Sequence, residues 1–156
     1  MKTILRTLAI SMLILSSSIL GYSATSGIVE VKVTIEKDVS IDIGGGPVNF
    51  GKLGVGQTAV STAPVTVTNN GSGADEKITL SVADPAGWTQ GVPGMNIYRM
   101  SFQVSADGQG AVWKSAAEIS ETLAYNETKK LWVKLETPTA TNVTTEQAIR
   151  VTISAE

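Results

Sequence analysis

The sequence predicts an all-β protein, a single antiparallel two-sheet sandwich of about seven to nine strands. Residues 24–156 contain 41 Val, Ile and Thr but only five Leu, and β-branched side chains favour pleated, half-buried surfaces. Apolar and polar residues alternate with period two in short runs, and turn-forming residues separate these runs. Such a pattern is typical of antiparallel sheets that bury one face against each other.

Residues 1–23 are predicted to be a cleaved signal peptide rather than part of the fold. Lys2 and Arg6 precede an apolar run from Leu8 to Leu20, and Gly21 and Ser23 supply small residues for cleavage. This tripartite order is that of a secretory signal. We expect cleavage after Ser23, with later small residues as alternatives. An uncleaved anchor is the other interpretation, although the run is short for a spanning helix, which needs about 20 residues. Residues 24–156 then form one domain.

Alternation predicts the strands in chain order, and turn chemistry separates them. The predicted strands are Val29–Ile35, Val39–Ile43, Val48–Gly51, Thr58–Thr68 with an interruption at Pro64, Ile78–Val82, Tyr98–Val104, Ala111–Lys114, Leu131–Leu135 and Ile149–Ile153.

Gly and Asn clusters predict the main turns, and one stretch is ambiguous. Gly44–Pro47, Asn69–Gly73 and Asp107–Gly108 are typical turn sequences. Ser115 and Glu118 have capping-box spacing, so the segment that follows Lys114 is interpreted as a short helix or a crossover.

Four segments resemble a pattern of secreted immunoglobulin-like sandwiches. Val48–Thr58 is similar to a strand and turn of the form FG-x-L-x-x-G, and Val65–Gly71 to the V-x-V-x-N-x-G strand that follows it. Pro85–Trp88 resembles a P-x-G-W element, and Leu123–Pro138 a late strand containing E-T-x-x-L-x-V. The resemblance implies an immunoglobulin-like extracellular domain. Within that group, the sequence is most similar to fibre subunits of the TasA/camelysin kind and to fimbrial subunits.

The segment directly after the signal is the candidate for assembly. Its predicted strand-pairing residues are Val29, Val31, Val33 and Ile35. A strand released by processing can pair with an open sheet edge of the next subunit, where alternate apolar side chains enter pockets. Head-to-tail repetition of that contact produces a filament. The alternative is that this segment is simply the first strand of its own sandwich.

Trp132, with Lys130 and Lys134 on the same strand, is the candidate ligand or interface site. These three residues alternate with Leu131 and Val133, so they are expected on the outer face. An exposed Trp flanked by Lys can stack on a sugar or enter an interface. The alternative is that Trp132 covers the outer sheet beneath a loop. The sequence leaves open whether Trp113 and Tyr125 lie beside this site, whereas Trp88 is expected to close one end of the core.

The absence of Cys and His excludes several chemistries. The chain has neither residue, so disulfides, thiol nucleophiles and histidine-based catalysis are excluded. The net charge of −2 does not indicate the basic surface that nucleic-acid binding requires. We expect the protein to have no enzymatic activity and to bind no cofactor or metal ion. Asn69, Asn70, Asp75 and Glu76 offer oxygen atoms but lack calcium-loop spacing, so they are interpreted as solvated turn residues.

The expected function is therefore that of an exported, non-enzymatic structural protein, found extracellularly, at the cell surface or in the periplasm. It is expected to pair with itself as a pilus or biofilm-fibre subunit by strand exchange. The alternative is an extracellular module that binds surface glycans or proteins. In both cases the mature chain is expected to lack a membrane span.

Overall fold

The computed structural model describes residues 30, 32–33, 39–110 and 112–156. The chain divides into two units, Met1–Ile35 and Glu36–Glu156, and all described strands belong to the second. The predicted signal peptide lies outside the described residues, as do Val29, Val31 and Ile35 of the predicted first strand.

Nine β-strands and one short 3₁₀ turn make up the regular structure of the described residues, which include no α-helix. The strands are β1 Ile41–Gly44, β2 Thr58–Val60, β3 Val65–Asn69, β4 Glu76–Ala83, β5 Thr89–Gln90, β6 Ile97–Val104, β7 Ser120–Leu123, β8 Thr128–Glu136 and β9 Arg150–Ala155. The predicted all-β class is confirmed.

The strands form two sheets of unequal width. The larger sheet has the order β1-β3-β8-β6-β5, and β2 also pairs with β8. The smaller sheet has the order β7-β4-β9. Every pair is antiparallel except the two-residue pairing of β5 with β6. The expected two-sheet, largely antiparallel arrangement is confirmed, and β8 is the strand around which the larger sheet is built.

The main core contains side chains from both sheets. Leu131, Val133 and Leu135 of β8 are buried together with Leu80 of β4, because alternate residues of a strand point to the same face. Val151 and Ile153 of β9 pack against this core but remain partly exposed. A smaller cluster forms around Val67, Ile78 and Leu123, and Ile41 and Ile153 pack on it.

Two predicted strands are wrong. Val48–Gly51 is not a strand. Gly51 adopts a φ of +65° and donates its N–H to Asn49 Oδ1 at 2.7 Å, so a turn replaces the ladder. Ala111–Lys114 is also not a strand in its described part, since only Lys114 pairs, through two backbone hydrogen bonds with Phe102.

The structure also defines the segments around Pro64 and Ser115. The interruption at Pro64 is confirmed, because β2 and β3 are separate strands that both pair with β8. The Ser115 segment contains a 3₁₀ turn at Ala116–Glu118 followed by strand β7. Glu118 Oε2 accepts hydrogen bonds from the Ser115 N–H at 2.8 Å and from its hydroxyl at 2.6 Å. The predicted capping contact therefore exists on a single turn.

Asn69 and Glu76 are buried, so their prediction as solvated turn residues is wrong. The Asn69 amide donates to the backbone oxygens of Ala74 at 2.8 Å and Leu123 at 3.0 Å, which joins β3 to the turn and to β7. Glu76 is 1% exposed, and its Oε1 accepts the Ser40 N–H at 2.9 Å. Both side chains thus form hydrogen bonds with backbone N–H or C=O groups, and such bonds satisfy polar groups that burial removes from water.

We expect Asn69→Ala to lower the free energy of unfolding by about 2–4 kcal/mol, because two backbone carbonyls and a buried site lose their partner. Asn70→Ala is the matched control, since Asn70 is the next residue and is exposed; its change should be within about 0.5 kcal/mol. Urea unfolding of both variants gives the comparison. Equal losses for the two variants would contradict the anchoring role of Asn69.

Tyr98 connects the core to the loop that precedes β5. Its side chain is fully buried, and its hydroxyl donates to Asp84 Oδ1 at 3.0 Å. Burial, and then the hydrogen bond and negative charge of Asp84, raise the pKa of Tyr98 above its ordinary value. Trp88 packs against the same core, as predicted, with its ring centroid 6.2 Å from that of Tyr98 and its Nε1 donating to Thr141.

The raised pKa of Tyr98 predicts a loss of stability at alkaline pH. The unfolded chain releases the Tyr98 proton near its ordinary pKa of about 10, whereas the folded chain retains it. The contribution is therefore fully present below pH 10 and declines as the pH rises beyond that value. Urea unfolding between pH 8 and pH 11, taken as an approximate window, should show a smaller alkaline decline in Tyr98→Phe than in Tyr125→Phe, whose site is exposed. Identical declines would contradict this assignment.

Candidate functional site

The outer face of β6 and β8 holds the polar and aromatic side chains that the sequence singled out. Three cross-strand pairs lie along it, namely Arg99 with Glu136, Ser101 with Lys134 and Gln103 with Trp132. Directly opposite residues in antiparallel strands share a face. One part of this row lies beneath a loop, and the other part lines a groove.

The loop of residues 105–110 covers Trp132. The indole Nε1 donates to the Ser105 carbonyl at 3.2 Å, and the loop is closed by a hydrogen bond from the Gly108 N–H to Ser105 Oγ at 2.8 Å. A Cβ atom at Gly108 would lie 2.6 Å from the Trp132 ring. Trp132 is therefore half-buried beneath this loop, which is the alternative that the sequence left open.

Lys130 and Lys134 lie on opposite sides of Trp132 along β8 and have different surroundings. Lys130 Nζ lies 3.4 Å from the Ala106 carbonyl, at the covered end. Lys134 Nζ lies 5.2 Å from the centroid of the Trp113 ring, at the open end. The structure thus brings Lys134 together with Trp113 rather than with Trp132. A ligand or interface role for Trp132 and Lys130 stays a prediction.

Replacing Gly108 by Ala should destabilise the protein through the Trp132 contact. Gly108 and Gly73 both have positive φ, +74° and +87°, and that conformation alone costs an L residue about 1–2 kcal/mol. Only Gly108 has an aromatic ring in the space of the new Cβ, since Gly73 has no atom within 4 Å. We expect Gly108→Ala to cost about 1–3 kcal/mol more than Gly73→Ala in urea unfolding. Equal costs would show that the loop does not press on Trp132.

The open end of the row is a groove of about 380 Å³. Arg99, Ser101, Lys134 and Glu136 form its floor, on β6 and β8. Two segments beside these strands form the walls: Trp113, Ser115 and Glu118 between β6 and β7, and Gln90 and Gly91 at the end of β5.

Opposite charges balance in the groove. Glu136 bridges two cations, with Oε2 3.5 Å from Arg99 Nη1 and Oε1 3.5 Å from Lys134 Nζ. The second carboxylate belongs to Glu118, and its hydrogen bonds with the Ser115 hydroxyl and N–H lower its pKa. The groove therefore combines two cations, two carboxylates and one indole, which offers hydrogen-bond donors and acceptors beside an apolar ring.

The second candidate site is the free edge of β9. Lys77 and Glu156 exchange two backbone hydrogen bonds, at 3.1 and 3.0 Å. Because hydrogen-bonded and non-hydrogen-bonded pairs alternate in an antiparallel ladder, the N–H and C=O groups of Val151, Ile153 and Ala155 point away from β4. Among the described residues, β4 alone pairs with β9.

The edge strands β1 and β9 carry core-facing apolar side chains that are partly exposed. Ile43 of β1 is opposite Val67, a buried core residue, so it faces the core side; yet it is 48% exposed. Its neighbour Ile41 packs on the smaller cluster together with Ile153. We name Ile41, Ile43, Val151 and Ile153 the open seam. They are apolar residues of β1 and β9, which are edge strands of the larger and the smaller sheet.

Of the predicted strand-pairing residues, only Val33 is described, and it is 82% exposed. Glu30 and Lys32 beside it form an ion pair of 3.4 Å between exposed side chains. Val29, Val31 and Ile35 lie outside the described residues. Their role in assembly stays a prediction.

Metal and membrane features were sought in the same part of the chain. Residues 30, 32–33, 39–110 and 112–156 contain no group of three acidic side chains placed to hold a metal ion. In these residues no helix has the length and apolar character needed to cross a membrane.

Models of known protein families, curated proteins and solved structures each gave no match to this chain.

Proposed function

We propose that the chain is an exported, non-enzymatic structural protein with an immunoglobulin-like sandwich that assembles on the cell surface by strand exchange. In this proposal the segment Gly27–Lys37 of one copy pairs with β9 of the next copy. The observation that supports it most is the open seam: β9 has an edge that no other described strand pairs with, and apolar side chains of β1 and β9 are partly exposed.

Main-chain geometry supports β9 as the acceptor strand. The outward N–H and C=O groups of Val151, Ile153 and Ala155 recur at every second residue, and an added strand pairs with such a row. β9 has six residues, whereas the edge strands β1 and β7 have four each. The edge of β9 therefore offers the longest ladder among these three.

Side-chain chemistry supports Gly27–Lys37 as the donor. Val29, Val31, Val33 and Ile35 form one apolar row, and Glu30, Lys32, Thr34 and Glu36 form the other. A strand added beside β9 would turn one row toward the core and the other toward solvent. The apolar row would then cover the open seam, and its burial would contribute about 25 cal/mol for each Å² removed from water.

Because donor and acceptor are different segments, the contact is head-to-tail, and its repetition produces an open filament when the rotation between copies does not close a ring. The pattern shared with TasA/camelysin-type and fimbrial subunits supports the same assignment. The partner in this proposal is therefore a second copy of the chain.

Val33→Asp should abolish assembly, because a charge in the apolar row would be buried in the seam at high cost. Thr34→Asp is the matched control: it introduces the same charge at the next residue, in the polar row, and should still assemble. Mature protein, beginning at Ala24, is examined by negative-stain electron microscopy and sedimentation. Filaments from wild type and Thr34→Asp, but not from Val33→Asp, are the expected result.

The acceptor side has its own pair of variants. Ile43→Asp changes the open seam, whereas Val60→Asp changes an apolar residue of similar exposure, 43%, opposite Lys134 on the outer face. Assembly should be lost in the first variant only. A strictly monomeric wild type under all conditions, or equal assembly of all four variants, would contradict the proposed function.

A further inference from the structure

We propose that the groove lined by Trp113, Lys134, Arg99 and Glu118 binds a neutral saccharide. This site is on the outer face of the larger sheet, away from the open seam, so the proposal is independent of strand exchange. Its volume of about 380 Å³ lies within the range of small-molecule sites.

The floor of the groove holds charged groups that are incompletely paired. Arg99 and Lys134 share the single carboxylate of Glu136, and both distances are 3.5 Å, which is long for a charge-assisted hydrogen bond. Arg has five N–H donors and Lys has three, and one carboxylate cannot engage them all. Donors therefore remain for ligand hydroxyl groups, and Ser101 and Gln90 add donors and acceptors beside them.

The balance of charge argues for a neutral ligand. The two cations of the groove are matched by the carboxylates of Glu136 and Glu118, so an anion or a cation would meet both attraction and repulsion. A hydroxyl-rich molecule accepts hydrogen bonds from the cations and donates them to the carboxylates. A saccharide has this chemistry on its rim.

Trp113 supplies the apolar surface that a sugar ring needs. Lys134 Nζ lies over one face of the indole, 5.2 Å from its centroid, in a cation–π contact. A sugar ring would therefore pack on the part of the indole that lines the groove beside this contact. The indole is half-buried and lines the groove. Its polar neighbours and its flat apolar ring together match the two kinds of surface of a hexose, its hydroxyl rim and its C–H face.

The test uses four tetrasaccharides as probes: cellotetraose, maltotetraose, chitotetraose and the carboxylated tetragalacturonate. Binding to the mature protein is followed by calorimetry and tryptophan fluorescence at probe concentrations up to about 10 mM. At least one neutral probe should bind, and tetragalacturonate should bind more weakly. No binding of any neutral probe, or preferred binding of tetragalacturonate, overturns the proposal.

Matched variants locate the site. Trp113→Ala should weaken binding of the neutral probe at least about tenfold. Lys134→Gln should weaken it about threefold or more, whereas Lys77→Gln, a change at an exposed lysine of β4 in the smaller sheet, should leave it unchanged. Lys134→Gln keeps a polar side chain at this position, so it tests the site even if Trp113→Ala fails to fold. Equal affinities of the two Lys variants overturn the assignment to this groove.

Discussion

The unequal width of the two sheets is the constraint on which the rest of the structure depends. The larger sheet has an inner face built around Leu131, Val133 and Leu135, and three strands oppose it in the described part of the smaller sheet. Apolar side chains must be removed from water to stabilise a sheet. In the described residues, Ile43 of β1 and Ile153 of β9 remain partly exposed.

Cover by connecting segments explains which surfaces of the larger sheet remain open. Val48 and Phe50 pack on the main core from a non-strand segment, and the loop at Gly108 lies over Trp132 on the other face. The next outward position on β8, Lys134, lies against the Trp113 ring and lines the groove. Two adjacent outward positions on one strand therefore have different surroundings because different segments lie over them.

Strand alternation was predictable from sequence because it depends on local periodicity. Leu131, Val133 and Leu135 are buried as their spacing predicts, and Pro64 separates two strands because it lacks an N–H for the ladder. Val48–Gly51 alternates as well, but the positive φ of Gly51 forms a turn. Periodicity reports which side chains are apolar, whereas pairing requires a partner strand within reach.

The surroundings of polar and aromatic residues were not predictable in the same way. Asn69 and Glu76 occur in a turn-rich stretch, and only the fold shows that they are buried between β3, β7 and Ser40. The face of Trp132 follows from its spacing, but the loop that covers it comes from a different part of the chain. The groove at Trp113 depends on three segments distant in sequence, and no short motif marks it.

The most direct test of the open seam is amide hydrogen exchange of β9, measured in mature protein and in a variant that lacks residues 24–37. The account predicts that the amides of Val151, Ile153 and Ala155 exchange rapidly in the truncated protein and become protected in the assembled mature protein. The amides of Thr152 and Ser154, which face β4, should be protected in both. Equal protection of the three outward amides with and without the donor segment would contradict the account.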